Sequence, residues 1–218
     1  MDEALWTRVD EYLAGELIPD DPVLAQVLAN SDAAGLPAIA VAPNQGAFLN
    51  LLARFGRAKT ILELGTLAGY STIWLGRALP ADGRLLTLEA DPAHAEVARE
   101  NIALAGLSGI VELRVGAALD LLPALDEKFD LIFIDADKQS YPEYFQWAVR
   151  LSRPGTMIVA DNVVRDGKVA EAGTADPRVR GVRRMHELIA AEPRVDATAL
   201  QTVGTKGYDG FALALVTS

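Results

Sequence analysis

The sequence predicts an α/β fold in which a mostly parallel sheet is covered by helices on both faces. From residue 60 onward, short apolar segments alternate with longer amphipathic ones, as strands alternate with helices in right-handed crossovers. Some short segments, such as residues 131–134, are apolar throughout, which is typical of strands buried on both faces. No repeat or linker interrupts the pattern, so one domain spanning residues 1–218 is expected.

The N-terminal part is predicted to be helical. Apolar side chains recur there at helical spacing, at Leu5, Val9, Tyr12, Leu13 and Leu17. Asp21 before Pro22 is typical of a helix N-cap and first turn, and predicts a second helix through Ala34. Residues 35–46 are expected to form a loop and residues 47–55 a third helix. Residues 1–57 would then be a helical extension in front of a core of residues 58–218.

The core is predicted to hold seven strands. They are expected at residues 61–64, 84–89, 110–115, 129–135, 156–161, 194–203 and 210–216. The intervening helices are expected at residues 71–79, 92–105, 142–151 and 177–191. Residues 163–176 are polar and contain glycine, which indicates a mobile surface loop. The last two strands are expected to close the sheet as an antiparallel pair.

The composition excludes several classes of site. The chain of 218 residues has 20 Lys and Arg against 30 Asp and Glu, a net charge of −10, and no cysteine. Without cysteine there is no disulfide framework, thiolate zinc site or iron–sulfur cluster. A pI near 4.7 argues against a nucleic-acid partner. Both histidines, His94 and His186, fall in predicted helices and are expected to have no ligand role.

The sequence shows neither a membrane span nor a secretion signal. No stretch approaches the roughly 20 apolar residues that cross a bilayer. Residues 1–8 carry charges where a signal peptide would be apolar. A cytoplasmic protein without a membrane partner is therefore expected.

The turn after the first core strand and the acid that ends the second strand predict a nucleoside-cofactor site. Ligands of such sheets bind beyond the carboxyl ends of the strands. Gly65 would let a ligand approach the backbone, and Gly69 permits the bend into the next helix. Ser71, in the first helical turn, can offer its hydroxyl and nearby N–H groups to a carboxylate. Glu89 is placed to accept both hydroxyls of a ribose.

Two cofactors fit this turn, and a third interpretation is purely structural. A dinucleotide favours Gly-x-Gly-x-x-Gly, but Leu67 stands where the middle glycine would be. S-adenosylmethionine has no phosphate and does not need that glycine. A dinucleotide would imply a nicotinamide-dependent dehydrogenase, and a cofactor-binding protein without turnover is a further alternative. Without Glu89, the turn would equally suit an ordinary strand–helix connection.

A set of oxygen ligands is predicted at the ends of two later strands. Asp135 follows one strand, and Asp161 and Asn162 end the next. If these strands are neighbours, the three side chains lie side by side and suit Mg²⁺. Lys138 is a candidate general base there, because nearby positive charge and partial burial favour a neutral amine. The alternative for Lys138 is a salt bridge to Asp137 or another acid.

Four segments together resemble a known family. They are residues 63–71 (ELGTLAGYS), 89–92 (EADP), 135–138 (DADK) and 161–162 (DN). In this order they resemble the metal-dependent small-molecule O-methyltransferases of the caffeoyl-CoA and catechol O-methyltransferase family, especially its bacterial members. The resemblance implies a Rossmann-like class I methyltransferase fold, with a mostly parallel seven-stranded sheet and an antiparallel C-terminal strand. It also implies a homodimer.

The resemblance also implies roles for individual residues. S-adenosylmethionine would be held by Val41, Glu63, Gly65, Ser71, Glu89, Ala117 and Asp135. A divalent cation, Mg²⁺ or another such as Mn²⁺ or Ca²⁺, would be ligated by Asp135, Asp161 and Asn162. Lys138 would take the proton from a phenolic, catechol-like acceptor, which makes Lys138 and Asp135 the expected catalytic residues.

The sequence also departs from the catechol-type pattern. Ala136 and Asp137 stand where those relatives have a His-Trp pair. Near Val203 there is no counterpart of the residue that contacts the second hydroxyl in catechol-type enzymes. These departures leave the identity of the acceptor open. Tyr141 and residues 165–168 are candidates for the acceptor pocket, with a plain surface role as the alternative.

Overall fold

A computed structural model describes residues 2–218, in which seven strands form one sheet. In chain order the strands are β1 (Thr60–Leu64), β2 (Arg84–Glu89), β3 (Val111–Val115), β4 (Phe129–Ile134), β5 (Ser152–Asp161), β6 (Val195–Gly204) and β7 (Gly207–Val216). Their order in the sheet is β3-β2-β1-β4-β5-β7-β6. The first five strands are parallel, and β7 runs antiparallel to both β5 and β6.

Eight α-helices accompany the sheet in the described residues. They are α1 (Glu3–Leu17), α2 (Pro22–Ala33), α3 (Pro43–Phe55), α4 (Tyr70–Gly76), α5 (Pro92–Leu104), α6 (Ala118–Leu121), α7 (Tyr141–Arg150) and α8 (Pro177–Ala191). Asp21, Asp91 and Asp176 each cap a helix that begins with proline, and each carboxylate accepts a backbone N–H of the first turn. These starts follow from local sequence alone, since proline presets the first helical residue.

Several details differ from the sequence prediction, among them the end of α4 at Gly76 and the start of β7 at Gly207. Helix α3 begins at Pro43, so part of the expected 35–46 loop is helical. The short helix α6 was not predicted. Strand β5 begins at Ser152, and its pairing with β4 shifts register near Phe129. The expected 163–176 loop contains a 3₁₀ turn at Lys168–Ala170.

The sheet is buried on both faces, as the apolar strands indicated. Along β4, Leu131 and Phe133 pack into a cluster with residues of α2 to α5. The alternate residues Ile132 and Ile134 pack into a second cluster with residues of α6 to α8. All four are almost completely excluded from solvent. Burial of this much apolar surface is the main force that fixes the strand order.

The topology places the candidate site. From β1 the sheet continues to β2 on one side and to β4 on the other, which creates a crevice at the carboxyl ends of the strands. Ile134 on β4 pairs with Ala160 on β5, so Asp135 and Asp161 follow at equivalent positions. The expected adjacency of these two strands is thus present. No helix among residues 2–218 has the length and apolarity needed to cross a membrane.

Candidate active site

A cavity of about 860 Å³ opens in this crevice at the ends of β1, β2, β4 and β5. It is lined by all but one of the residues expected to hold the cofactor, the metal or the acceptor proton, namely Val41, Gly65, Ser71, Glu89, Ala117, Asp135, Lys138, Asp161 and Asn162. Of that set, Glu63 does not line the cavity. Residues far apart in sequence are therefore brought to one concave surface.

Glu63 lies behind the cavity wall in a fully buried position. Its carboxylate accepts hydrogen bonds from the hydroxyls of Ser71, Thr72 and Thr87. Burial raises the pKa of Glu63 to about 7, although the three hydroxyls oppose the shift. Glu63 thus ties the start of α4 to β1 and β2, and it reaches the cavity only through Ser71.

The turn after β1 is shaped by a close approach of two backbone segments. Gly65 has a φ of +94°, and a Cβ there would lie 2.2 Å from the carbonyl oxygen of Asp135. The Asp135 N–H donates to the carbonyl of Leu64 at 2.9 Å. The sequence predicted that Gly65 admits a ligand, and Gly65 does line the cavity; the structure adds that this glycine also admits the segment after β4. A side chain at this position would separate the cofactor turn from Asp135.

Glu89 is held at the edge of the cavity by backbone N–H groups. Its Oε2 accepts from Thr66 at 3.0 Å and from Leu67 at 2.8 Å, and its Oε1 accepts from Asp91 at 3.0 Å. Leu67 adopts a left-handed φ of +49°, which brings its N–H toward the carboxylate. The acid that ends β2 is therefore fixed in orientation and keeps acceptor capacity for a ligand.

The predicted ligand set lies at the other end of the cavity. Lys138 Nζ is 2.6 Å from Asp135 Oδ1, and the two side chains are 12% and 22% exposed. The sequence offered a salt bridge as the alternative for Lys138, and the partner is Asp135, not Asp137. Asp161 is buried, and its Oδ1 accepts the N–H of Asn162 at 2.8 Å. Burial, with the charge of Asp135 next, raises the pKa of Asp161.

The chemistry of these donors fits a hard divalent cation. Two carboxylates and one amide oxygen are ligands that Mg²⁺ prefers. Besides burial, repulsion between the carboxylates of Asp135 and Asp161 raises the pKa of Asp161, and a cation bound to both would relieve that repulsion. Because its third member is the amide of Asn162, the predicted set contains only two acids. It is therefore not a cluster of three or more His, Cys, Asp or Glu, and residues 2–218 contain no such cluster suited to a metal.

Tyr141 was a candidate for the acceptor pocket, with a surface role as the alternative, and it has neither position, because it does not line the cavity and is not exposed. Its side chain is fully buried, and its hydroxyl donates to the carbonyl of Asp161 at 2.8 Å and of Ile134 at 3.2 Å. Its ring centroid lies 5.0 Å from Lys138 Nζ. Tyr141 therefore links the ends of β4 and β5 through its hydroxyl, and its ring packs against the candidate base Lys138. Arg165, from the other proposed segment, does line the cavity.

Several cavity residues were missed by sequence reasoning. They are Gln45, His94, Lys206, Tyr208 and Asp209. Gln45, at the start of α3, lies close enough to Asp161 to lower the pKa of its carboxyl, against the larger effect of burial. His94 was expected to have no ligand role, but it faces the cavity with Nδ1 3.6 Å from Glu89 Oε1. They come from three segments that lie far apart in sequence, around residues 45, 94 and 206–209, so only the folded chain brings them together.

The sheet order, the crevice and the acid at the end of β2 define a protein that binds a nucleoside cofactor in a Rossmann-like fold. Residues 16–215 match the family model described as O-methyltransferase. The match covers most of the chain, which therefore belongs to the O-methyltransferase family.

Individual relatives agree with this assignment. A catechol O-methyltransferase of Niastella koreensis is 56% identical over 220 residues, which is 99% of this chain and 100% of that protein. A Bacillus cereus O-methyltransferase crystallised with S-adenosylhomocysteine is 57% identical, with a TM-score of 0.97 over 98% of this chain and 99% of its own. TomG of Streptomyces achromogenes, an O-methyltransferase crystallised with S-adenosylmethionine, is 50% identical, with a TM-score of 0.97 over 100% of both chains.

The fold predicted from the sequence, a class I methyltransferase fold with antiparallel C-terminal strands, is thus confirmed. The expected enzyme class, an S-adenosylmethionine-dependent O-methyltransferase, is confirmed as well. The alternative of a nicotinamide-dependent dehydrogenase finds no support among these relatives.

Proposed function

We propose that this enzyme transfers a methyl group from S-adenosylmethionine to a hydroxyl of a catechol-like small molecule, assisted by a divalent cation, in the first place Mg²⁺. The observation that carries the proposal is the arrangement of Asp135, Lys138, Asp161 and Asn162 in the cavity that Glu89 also lines. The name of the Niastella koreensis relative supports a catechol as the acceptor.

The cofactor would lie across the carboxyl ends of β1, β2 and β4. Glu89, already fixed by three backbone N–H groups, would accept the two ribose hydroxyls. Ser71 would face the methionine carboxylate at the start of α4, and Asp135 its ammonium group. Val41, in the connection before α3, and Ala117, in the connection after β3, both line the cavity. Val41 would contact the methionine part of the cofactor, and Ala117 would contact the adenine.

The acceptor would lie between Lys138, which follows β4, and the residues at the end of β5. Asp135, Asp161 and Asn162 would hold the cation, which supplies Lewis-acid polarisation of the acceptor hydroxyl when it is bound. Lys138 would accept the proton of that hydroxyl, and Tyr141 and Asp135 keep its side chain at the cavity wall. An O–C bond would form as the S–C bond breaks, which leaves S-adenosylhomocysteine and the methyl ether. The enclosing walls would hold the two reactants in line.

A thermal-shift titration tests the cofactor half of this proposal. S-adenosylhomocysteine is expected to raise the midpoint of unfolding in proportion to the logarithm of its concentration, because it binds only the folded state. NAD⁺ at the same concentrations is the control and should not. Stabilisation by NAD⁺ with none by S-adenosylhomocysteine would contradict the proposed function.

We also propose a homodimer, with α1 in the interface. Tyr12 and Leu17 on this helix are 65% and 74% exposed, and Leu5, Val9 and Leu13 are also largely open. The helix has no fully buried residue in the described structure. A helix whose apolar residues remain this open is typical of a contact surface. A second copy of this chain would cover it.

A further inference from the structure

The segment that follows β5 has an unusual backbone. Asn162, Arg165 and Asp166 all have left-handed φ values, of 55°, 55° and 58°. Asparagine tolerates this conformation, but it is unfavourable for arginine. Residues held in such conformations cluster at functional sites, where the surrounding structure enforces them.

Strand β7 enforces this conformation. Asp209 Oδ1 accepts the N–H groups of Val164 and Arg165, both at 2.9 Å. The carbonyl of Tyr208 accepts the N–H of Asp166 at 3.2 Å. The backbone of Arg165 is thus held from both sides, and its side chain is directed into the cavity wall.

The guanidinium of Arg165 is poorly partnered for a group with five donors. Its Nε is buried and has no hydrogen-bond partner within residues 2–218. Its nearest acid is Asp209, whose Oδ2 lies 3.5 Å from Nη1, which is long for a charge-assisted hydrogen bond. The side chain is 24% exposed and lines the cavity.

Two further cations, Arg178 and Lys206, line the same cavity. Arg178 pairs with Asp176 at 3.2 Å, whereas Lys206 donates to the backbone carbonyl of Ala38 at 3.3 Å and has no acid within 4.0 Å among residues 2–218. Of the nearby acids, Asp166 is mostly exposed and lies 3.8 Å from Lys168, and Asp137 accepts hydrogen bonds from Tyr144 and Ser140.

We propose that Arg165 determines acceptor specificity by binding a carboxylate on the substrate, so that the preferred acceptors are catechol carboxylic acids. The inference rests on the proposed methylation of catechols and adds the charge of the acceptor. The planar guanidinium matches a carboxylate in a two-point contact, whereas an amide of the same shape offers one acceptor and no charge.

The test compares 3,4-dihydroxybenzoate with 3,4-dihydroxybenzamide, which have the same ring and diol. The ratio of their kcat/KM values is measured for the wild-type enzyme, for Arg165→Gln and Arg165→Lys, and for Arg180→Gln as an exposed control on α8. Any intrinsic difference in reactivity between the two acceptors cancels when the ratios are compared. Binding of both acceptors to the complex with S-adenosylhomocysteine is followed by calorimetry.

Arg165→Gln is expected to lower the acid-to-amide ratio by about tenfold, mainly through KM, and to weaken calorimetric binding of the acid to match. Arg165→Lys should restore part of the ratio, and Arg180→Gln should leave it unchanged. Added salt should slow the acid more than the amide in the wild type only. An unchanged ratio in Arg165→Gln, with both acceptors methylated, would overturn this inference alone. Failure of the wild type to methylate either compound would overturn the proposed function as well.

Discussion

Lys138 and Asp135 form a close ion pair at the wall of the cavity, with Nζ 2.6 Å from Oδ1. The candidate base is therefore bound to one of the candidate metal ligands in the protein alone. A cation at Asp135 and Asp161 would compete with Lys138 for the same carboxylate. We expect that binding of the cation releases the amine of Lys138 from Asp135, so that the amine can accept the acceptor proton. The ring of Tyr141 would keep the Lys138 side chain in position.

Replacement of Lys138 should abolish most of the turnover. Lys138→Met and Lys138→Arg are both expected to lower kcat by about 10² to 10⁴, which is the usual contribution of a general base. Arginine keeps the charge for Asp135 but does not give up its proton. Steady-state rates and the affinity for S-adenosylhomocysteine are measured together, and that affinity should remain close to the wild-type value. Recovery of kcat in Lys138→Arg would show that Lys138 serves only as an ion-pair partner.

The buried acid Glu63 should make the metal-free protein less stable as the pH rises. Burial raises the pKa of folded Glu63 to about 7, whereas the ordinary pKa of a glutamate is 4.5. Between these values the native state binds more protons than the unfolded state, so stability falls as the pH rises. Glu63→Gln should remove this dependence, which is on the order of 1 to 3 kcal/mol.

Chemical denaturation at several values between pH 4 and pH 8 measures this effect. Asp161 titrates in the same range in both proteins, so the difference between their curves isolates Glu63. Glu96→Gln, at an exposed position on α5, is the control and should follow the wild type. Parallel curves for Glu63→Gln and the wild type would show that Glu63 has no role in the pH dependence.

Glu89 should control the affinity for the nucleoside. Glu89→Gln keeps a carbonyl oxygen for the N–H groups of Thr66 and Leu67 but loses the charge that strengthens hydrogen bonds to ribose. Calorimetry should show S-adenosylhomocysteine bound about 10 to 100 times more weakly. Glu96→Gln serves again as the control, since its side chain lies outside the cavity. Equal affinity for the wild type and Glu89→Gln would remove Glu89 from the cofactor site.

The apolar face of α1 should hold two copies together. The double variant Tyr12→Asp/Leu17→Asp places charges on this face and is expected to convert a dimer to a monomer in sedimentation-velocity experiments. Leu104→Asp, at an apolar position on α5 that is 48% exposed, is the control and should leave the mass unchanged. A wild-type protein that sediments as a monomer at all concentrations would contradict the proposed interface.

The sheet and much of the cavity were predictable because their signals are local. Strands such as β4 are continuous apolar runs, and Asp135 and Asp161 directly follow or end strands that proved to be neighbours. Proline after aspartate marked the starts of α2, α5 and α8. Each of these features depends on a few consecutive residues, which a sequence displays directly.

What the sequence did not reveal depends on contacts between distant segments. Gly46 looked like part of a loop but lies inside α3, where a Cβ would be 2.4 Å from the ring of Trp74. Glu63 and Tyr141 looked like ligand contacts but are buried behind the cavity by partners on other strands. Asp209 belongs to no motif, and only the antiparallel return of β7 brings it to the segment after β5.

The most direct test of the account is the formation of a methylated catechol under control of the metal. The purified enzyme is incubated with S-adenosylmethionine and catechol, in one sample with Mg²⁺ and in another with excess chelator, and the products are measured by mass spectrometry. With Mg²⁺, we expect a monomethyl ether and an equal amount of S-adenosylhomocysteine. With chelator, neither product should form, and both should form again when Mg²⁺ is restored. Equal rates of methylation with and without chelator would contradict the metal-assisted mechanism, and the absence of methyl ether from the Mg²⁺ sample would contradict the proposed acceptor.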